Sequence, residues 1–177
     1  MSARPQPLDG PSEPFALAAR AAEQLAGRLG RDDHRLALWL GSGWQRALDE
    51  LNVTATTSTD ELAGFQPAGA MGHGSEAHSV RVDAPEGESL QALVFTGRTH
   101  LYEGHGPAAV AHGVRTAAAA GCTVAVLTNA AGCLRSGDAG ASDGGPDGAG
   151  AAWPIGSPVL ISDQLNLTGA SPLTGPL

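Results

Sequence analysis

Lysine is absent from this chain of 177 residues, and all ten of its basic residues are arginines. That excludes Schiff-base chemistry and a P-loop lysine. Basic charge is also outweighed, since the formal net charge is −8, which argues against a nucleic-acid surface. Cysteine is limited to Cys122 and Cys133, which form neither a metal motif nor a disulfide framework. Cys122 reads as a small buried hydrophobe. Aromatic residues make up only 4% of the chain, and no apolar stretch approaches the length of a membrane span. The opening residues MSARPQPLDG lack the apolar core of a signal peptide. These features lead to the expectation of a soluble, cytoplasmic protein of one ordinary domain, able to bury a proper core.

What is present alternates between strand and helix patterns. Residues 1–11 are polar and proline-rich and read as a disordered lead-in. Ser12 is suited to cap a helix in which Phe15, Ala18, Ala22, Leu25 and Leu29 recur at helical spacing, with Gly30 as its stop. Leu36–Leu40 is a continuous apolar run that reads as a central strand buried on both faces, followed by Gly41-Ser42-Gly43 and a helical pattern from Trp44 to Leu51. Strands are expected at Val53–Thr57, at His78–Val82 as a half-exposed element, at Leu90–Phe95, and at Val124–Leu127 as a buried element. A helix is expected over Pro107–Ala120, with His105 and His112 as surface or helix-packing residues. The span 135–156 is small-residue-rich and reads as a flexible insertion, after which Ser157–Asp163 reads as a further strand. The fold expected is α/β, layered, with a central mixed, largely parallel sheet flanked by helices.

Chemistry gathers where strands end. Gly41-Ser42-Gly43 sits between strand and helix, a layout that either aims backbone N–H groups at an anion or is a plain tight turn of an α/β protein. Phe95-Thr96-Gly97-Arg98-Thr99-His100-Leu101-Tyr102-Glu103-Gly104 crowds an arginine, a histidine, a tyrosine and a glutamate into one loop. Arg98 offers a planar fork of donors, and His100 leaves an extended backbone on the same face. Gly72-His73-Gly74 places a histidine on a glycine-rich loop, and Thr128-Asn129-Ala130-Ala131-Gly132 follows the last strand with small residues that let a ligand approach. In parallel sheets ligands bind beyond the carboxyl ends of strands, where these loops lie. No histidines are spaced with acidic residues as a metal site requires.

In this order, and joined by Ile161-Ser162-Asp163-Gln164-Leu165-Asn166-Leu167, these motifs resemble those of the trimeric purine nucleoside phosphorylases, over nearly the whole chain after about residue 15. The resemblance implies a nucleoside phosphorylase domain at 12–177 and phosphorolysis of purine (deoxy)nucleosides to free base and (deoxy)ribose-1-phosphate. It also implies a homotrimer, purine salvage, inorganic phosphate as co-substrate, and no metal or organic cofactor. Ser42, His73, Arg98, His100 and the backbone at Ala130 would hold phosphate, and Tyr102 would contact the ribose. His100, Glu103 and Asn129 would form the catalytic set, with Glu103 orienting His100 and phosphate and Asn129 shaping the pocket wall. The alternatives are a methylthioadenosine phosphorylase-type enzyme, a phosphate-binding fragment without turnover, and a structural remnant. The chain departs from the pattern in being shorter than the family's, lacking the part that recognises the purine, and in carrying Ala170 near the position of an aromatic that reaches a neighbouring subunit. The expectation is an N-terminal portion of the family's chain.

Overall fold

The structure is a computed structural model that describes residues 13–41, 43–66, 75–83, 87–132 and 155–174. The lead-in 1–11, the capping Ser12, the Gly72-His73-Gly74 loop and most of the 135–156 insertion lie outside the described residues. The chain divides into two compact units, Met1–Asn129 with Ala170–Leu177, and Ala130–Gly169.

The first unit is built on a five-stranded sheet. In chain order its elements are α1 (Glu13–Leu29), β1 (Leu36–Leu40), a 3₁₀ helix (Gln45–Glu50), β2 (Asn52–Ser58), β3 (Glu76–Val82), β4 (Leu90–Thr96), a 3₁₀ turn (Leu101–Glu103), α2 (Gly106–Val110), α3 (His112–Ala119) and β5 (Val124–Leu127). The strand order is β2-β3-β4-β1-β5. β1 pairs in parallel with both β4 and β5, while β3 is antiparallel to β2 and to β4. The sheet is therefore mixed, with its parallel part confined to β4, β1 and β5.

Side-chain alternation along β1, β3 and β4 divides the core. On one face Ala37, Trp39, Ala77, Leu93 and Phe95 pack with Leu25 and Leu29 of α1 and Ala117 of α3. On the other, Leu40, Val80, Ala92 and Val94 are covered by Ala47, Leu48 and Leu51. α1 forms because its small and apolar residues make one stripe, buried at Ala18, Ala21, Ala22, Leu25 and Leu29, with Glu13 in the first turn. It stops at Gly30, whose φ of 69° is open to glycine at little cost.

Several expectations are corrected by this packing. His78–Val82 is not half-exposed, because β3 is an interior strand with both faces covered, so His78, Ser79 and Val80 are buried in succession. Val124–Leu127 forms a strand but is exposed throughout, since among the described residues β5 is an edge paired only with β1. Trp44–Leu51 yields a 3₁₀ helix with no buried residue rather than an α-helix. The helix expected over Pro107–Ala120 is divided at Ala111. The bonds Ala111 N→Pro107 O and Arg115 N→Ala111 O still cross the junction. At that point His112 turns inward, where its Nε2 lies 2.8 Å from Ala63 O and its ring meets Phe65 edge-on at 4.8 Å. Cys122 is half-buried against the core rather than fully enclosed, and partial burial pushes its thiol up.

The second unit has no helix or strand among its described residues. Ser157–Asp163 is therefore not a strand, because no ladder pairs with it. Local side-chain bonds shape the segment instead: Asn166 Oδ1 accepts from Thr168 N at 3.1 Å, and Asp163 Oδ1 from Gln164 N at 2.8 Å.

Three histidines, His34, His78 and His112, are buried. Burial pushes each below the usual histidine range, against an opposing pull from Asp33 on His34, from Glu76 on His78 and from the Ala63 carbonyl on His112. Each must enter the fold neutral, so the unfolded chain binds more protons on acidification. Their contribution is fully present above the ordinary value of about 6.5 and is lost as pH falls below it, by at most ~1.4 kcal/mol per pH unit for each group. The Asp33 carboxyl, held low by Arg31, acts only in a more acidic window. Urea unfolding should therefore show a lower midpoint at pH 5.5 than at pH 7.5. Equal midpoints would mean that these histidines are not buried in neutral form.

Candidate active site

Because β4, β1 and β5 run parallel, their carboxyl ends meet at one rim. The junction there is tied by three loops. Arg98 Nη1 donates to Thr128 O at 2.8 Å, Gly41 N donates to Thr128 Oγ1 at 2.9 Å, and Thr128 Oγ1 donates to Trp39 O at 2.9 Å. The approach is close enough to demand glycine at position 41. A Cβ there would sit 2.4 Å from Thr128 O and 3.3 Å from Arg98 Nη2. Gly97 has φ of 114°, and a Cβ on it would meet Ser75 Oγ at 3.0 Å. This turn carries the chain from the end of β4 to Arg98.

A cavity of about 260 Å³ opens beside this junction on the helix-covered face. Trp39, Phe65 and Phe95 form its aromatic floor, and Arg98 and His100 both line it. The rings of Trp39 and Phe95 stack at 4.9 Å and 10°, and Phe65 stacks on Phe95 at 6.2 Å. An aromatic floor with a cation and an imidazole at the mouth is suited to a ligand that is part ring or sugar and part anion.

The loop after Arg98 is held by its own acid. Glu103 Oε2 accepts the His100 backbone N–H at 2.7 Å, and Glu103 N donates to His100 O at 3.1 Å. Glu103 thus orients His100 through its backbone. The imidazole itself stacks on Tyr102, centroid to centroid 4.9 Å at 13°. Tyr102 is 84% exposed, so its outer face and hydroxyl are open to a ligand.

The expected residues fall into three groups. His100, Tyr102 and Glu103 form one connected cluster, Arg98 lines the same cavity as His100, and Asn129 directly follows Thr128, which fastens Arg98. Ser42 and His73 lie outside the described residues, although their neighbours Gly41 and Ser75 border the rim. Ala130 belongs to the second unit, where it is exposed. Sequence reasoning missed Thr128 as the acceptor that anchors Arg98 and missed Trp39 and Phe65 as cavity floor. The alternation within Leu36–Leu40 already put Trp39 on a definite face, but which face would meet a cavity depended on packing.

Taken together, the mixed sheet, the parallel rim and the loops on it define an α/β protein with the nucleoside phosphorylase fold. A purine nucleoside phosphorylase solved with ribose-1-phosphate superposes with a TM-score of 0.55 at 21% identity, over 67% of this chain and 41% of that one. The Schistosoma mansoni purine nucleoside phosphorylase in complex with inosine gives 0.54 at 20% identity, over 66% and 38%. In sequence, the chain is similar to curated purine nucleoside phosphorylases. It is 44% identical over 172 residues to the enzyme of that name from Cellulomonas sp, covering 96% of this chain and 56% of the relative. The Mycobacterium tuberculosis enzyme of the same name is also 44% identical, over 92% of this chain and 54% of the relative. The chain thus spans about half the length of the curated relatives it matches. No protein-family model matches it.

Proposed function

We propose that this chain carries the phosphate- and ribose-binding half of a purine nucleoside phosphorylase. The reaction is phosphorolysis of purine (deoxy)nucleosides to free purine and (deoxy)ribose-1-phosphate, a salvage step in the cytoplasm. The observation that carries the reading is Arg98 fastened to Thr128 O where three parallel strands end, beside a cavity it lines together with His100. Neighbours of the same fold were solved with ribose-1-phosphate and with inosine, which supports this substrate class.

Each residue has a task that its chemistry suits. Arg98 and His100 hold inorganic phosphate, with Ser42 and His73 as further donors from the same motif set. Tyr102 lies along the ribose, Glu103 holds the His100 loop in place, and Asn129 forms the wall beyond β5. A phosphate oxygen forms a bond to C1′ of the sugar as the bond from C1′ to the purine nitrogen breaks, and that electron pair leaves with the base. Positive charge builds on the sugar during this exchange, as in glycoside hydrolysis, and the phosphate dianion balances it. The protein's contribution is to aim that oxygen and keep water away. No metal or organic cofactor takes part, and the assembly is a homotrimer.

The test is release of base from inosine or guanosine, followed with and without inorganic phosphate. It should be run on the 177-residue chain and on the product of the complete reading frame that encodes it. Release that requires phosphate and yields ribose-1-phosphate is the expected result. A complete product that frees no base in the presence of phosphate would sink the proposal.

A further inference from the structure

His78 is buried at 3% exposure on the sheet face opposite the cavity, yet it bonds the strands that frame the rim. Its Nδ1 lies 2.9 Å from Thr56 Oγ1 of β2, and its Nε2 lies 3.3 Å from Thr96 Oγ1 of β4. The carboxylate of Glu76, on the same strand, reaches to 3.7 Å of Nε2. The proton positions follow from the partners. With Thr96 Oγ1 placed to donate its one proton to Glu76 O at 3.4 Å, its matching role toward His78 is to accept from Nε2–H. Nδ1 is then bare and accepts from the Thr56 hydroxyl.

Thr96 is the last residue of β4. Gly97 turns the chain next, against Ser75, and Arg98 follows. Ser75 immediately precedes β3. A single imidazole therefore pins the strand end that launches the rim arginine. We propose that His78 is a positioning residue that sets the Gly97–Arg98 turn through Thr96, and thereby the aim of the anion site. This rests on Arg98 being the phosphate cation of the proposed reaction. Among the described residues, β2 and β4 present the neutral hydroxyls Thr56 and Thr96 to the ring, and β3 presents Glu76. Burial outweighs the pull of that carboxylate and keeps the ring neutral near pH 7.

The experiment is nuclear magnetic resonance on the ¹⁵N-labelled chain, comparing wild type, His78→Val and His78→Gln, each titrated with inorganic phosphate. In wild type the His78 ring should show a protonated Nε2 and a bare Nδ1. His78→Val should shift the Gly97 and Arg98 amide resonances before any phosphate is added and weaken phosphate by about tenfold, while exchange protection of Leu36–Leu40 is kept. His78→Gln, which keeps a donor and an acceptor, should recover part of both effects. Unshifted Gly97 and Arg98 amides in a folded His78→Val chain would overturn the proposal. If those amides move but wild type binds no phosphate, positioning stands and the phosphorylase reading falls. Should His78→Val not fold, acid titration of wild type replaces it: the Gly97 and Arg98 amides should move in step with the His78 ring, and independence of the two would overturn the proposal.

Discussion

Arg98→Gln should weaken inorganic phosphate by about 10- to 100-fold, the worth of one charge-assisted bond or somewhat more. The glutamine keeps a donor able to reach toward Thr128 O, where Arg98 Nη1 now sits at 2.8 Å. It removes the permanent charge and the planar fork. Arg98→Lys should fall between the two, because an ammonium retains the charge but cannot both anchor on Thr128 O and offer parallel donors to phosphate. Isothermal titration calorimetry with phosphate distinguishes the three chains. If Arg98→Gln binds within twofold of wild type, the rim junction is a structural tie and the anion site lies elsewhere.

The largest loss of stability is expected from Phe95→Ala. Phe95 is 2% exposed and stacks with both Trp39 and Phe65, so its removal leaves a cavity and removes both ring contacts at once. Such a truncation costs about 3–5 kcal/mol, to which ring stacking contributes ~0.5–1.5 kcal/mol. That is a large part of the stability of any ordinary domain. Urea unfolding should show the drop as a lower midpoint, and Phe95→Leu should recover much of it. A loss below ~1 kcal/mol would mean that the helix-covered face of the sheet is not packed as described. The same substitution would remove one wall of the cavity beside Arg98, so stability and ligand binding are coupled at this ring.

Much of this architecture was legible in local pattern. α1 announced itself by an apolar stripe closed by Gly30, and β1 and β4 by short unbroken apolar runs, because a strand covered on both faces has no polar side to show. The cluster of Arg98, His100, Tyr102 and Glu103 was legible because one short loop holds all four. Misreadings arose where environment overrode pattern. Residues His78–Val82 read as half-exposed, but buried Ser79 is matched by His34, whose Nε2 lies 2.9 Å from its Oγ, so polar residues there do not face water. Val124–Leu127 has the composition of an interior strand and lies exposed at an edge, a position that composition does not encode.

The sequence by itself determined that α1 and the strands β1 to β5 form, and that chemically active side chains follow the ends of β1, β4 and β5. The reason is that side-chain periodicity, glycine stops and the clustering of polar groups are local properties, written along a few consecutive residues. The tertiary structure alone decided that β4, β1 and β5 lie side by side and parallel, so that Gly41, Arg98 and Thr128 meet at one point, and that His78 is sealed among hydroxyls beneath them. Those contacts join residues separated by as many as 87 positions, as between Gly41 and Thr128, and only the packing of the sheet's two faces brings such distant residues into hydrogen-bond range.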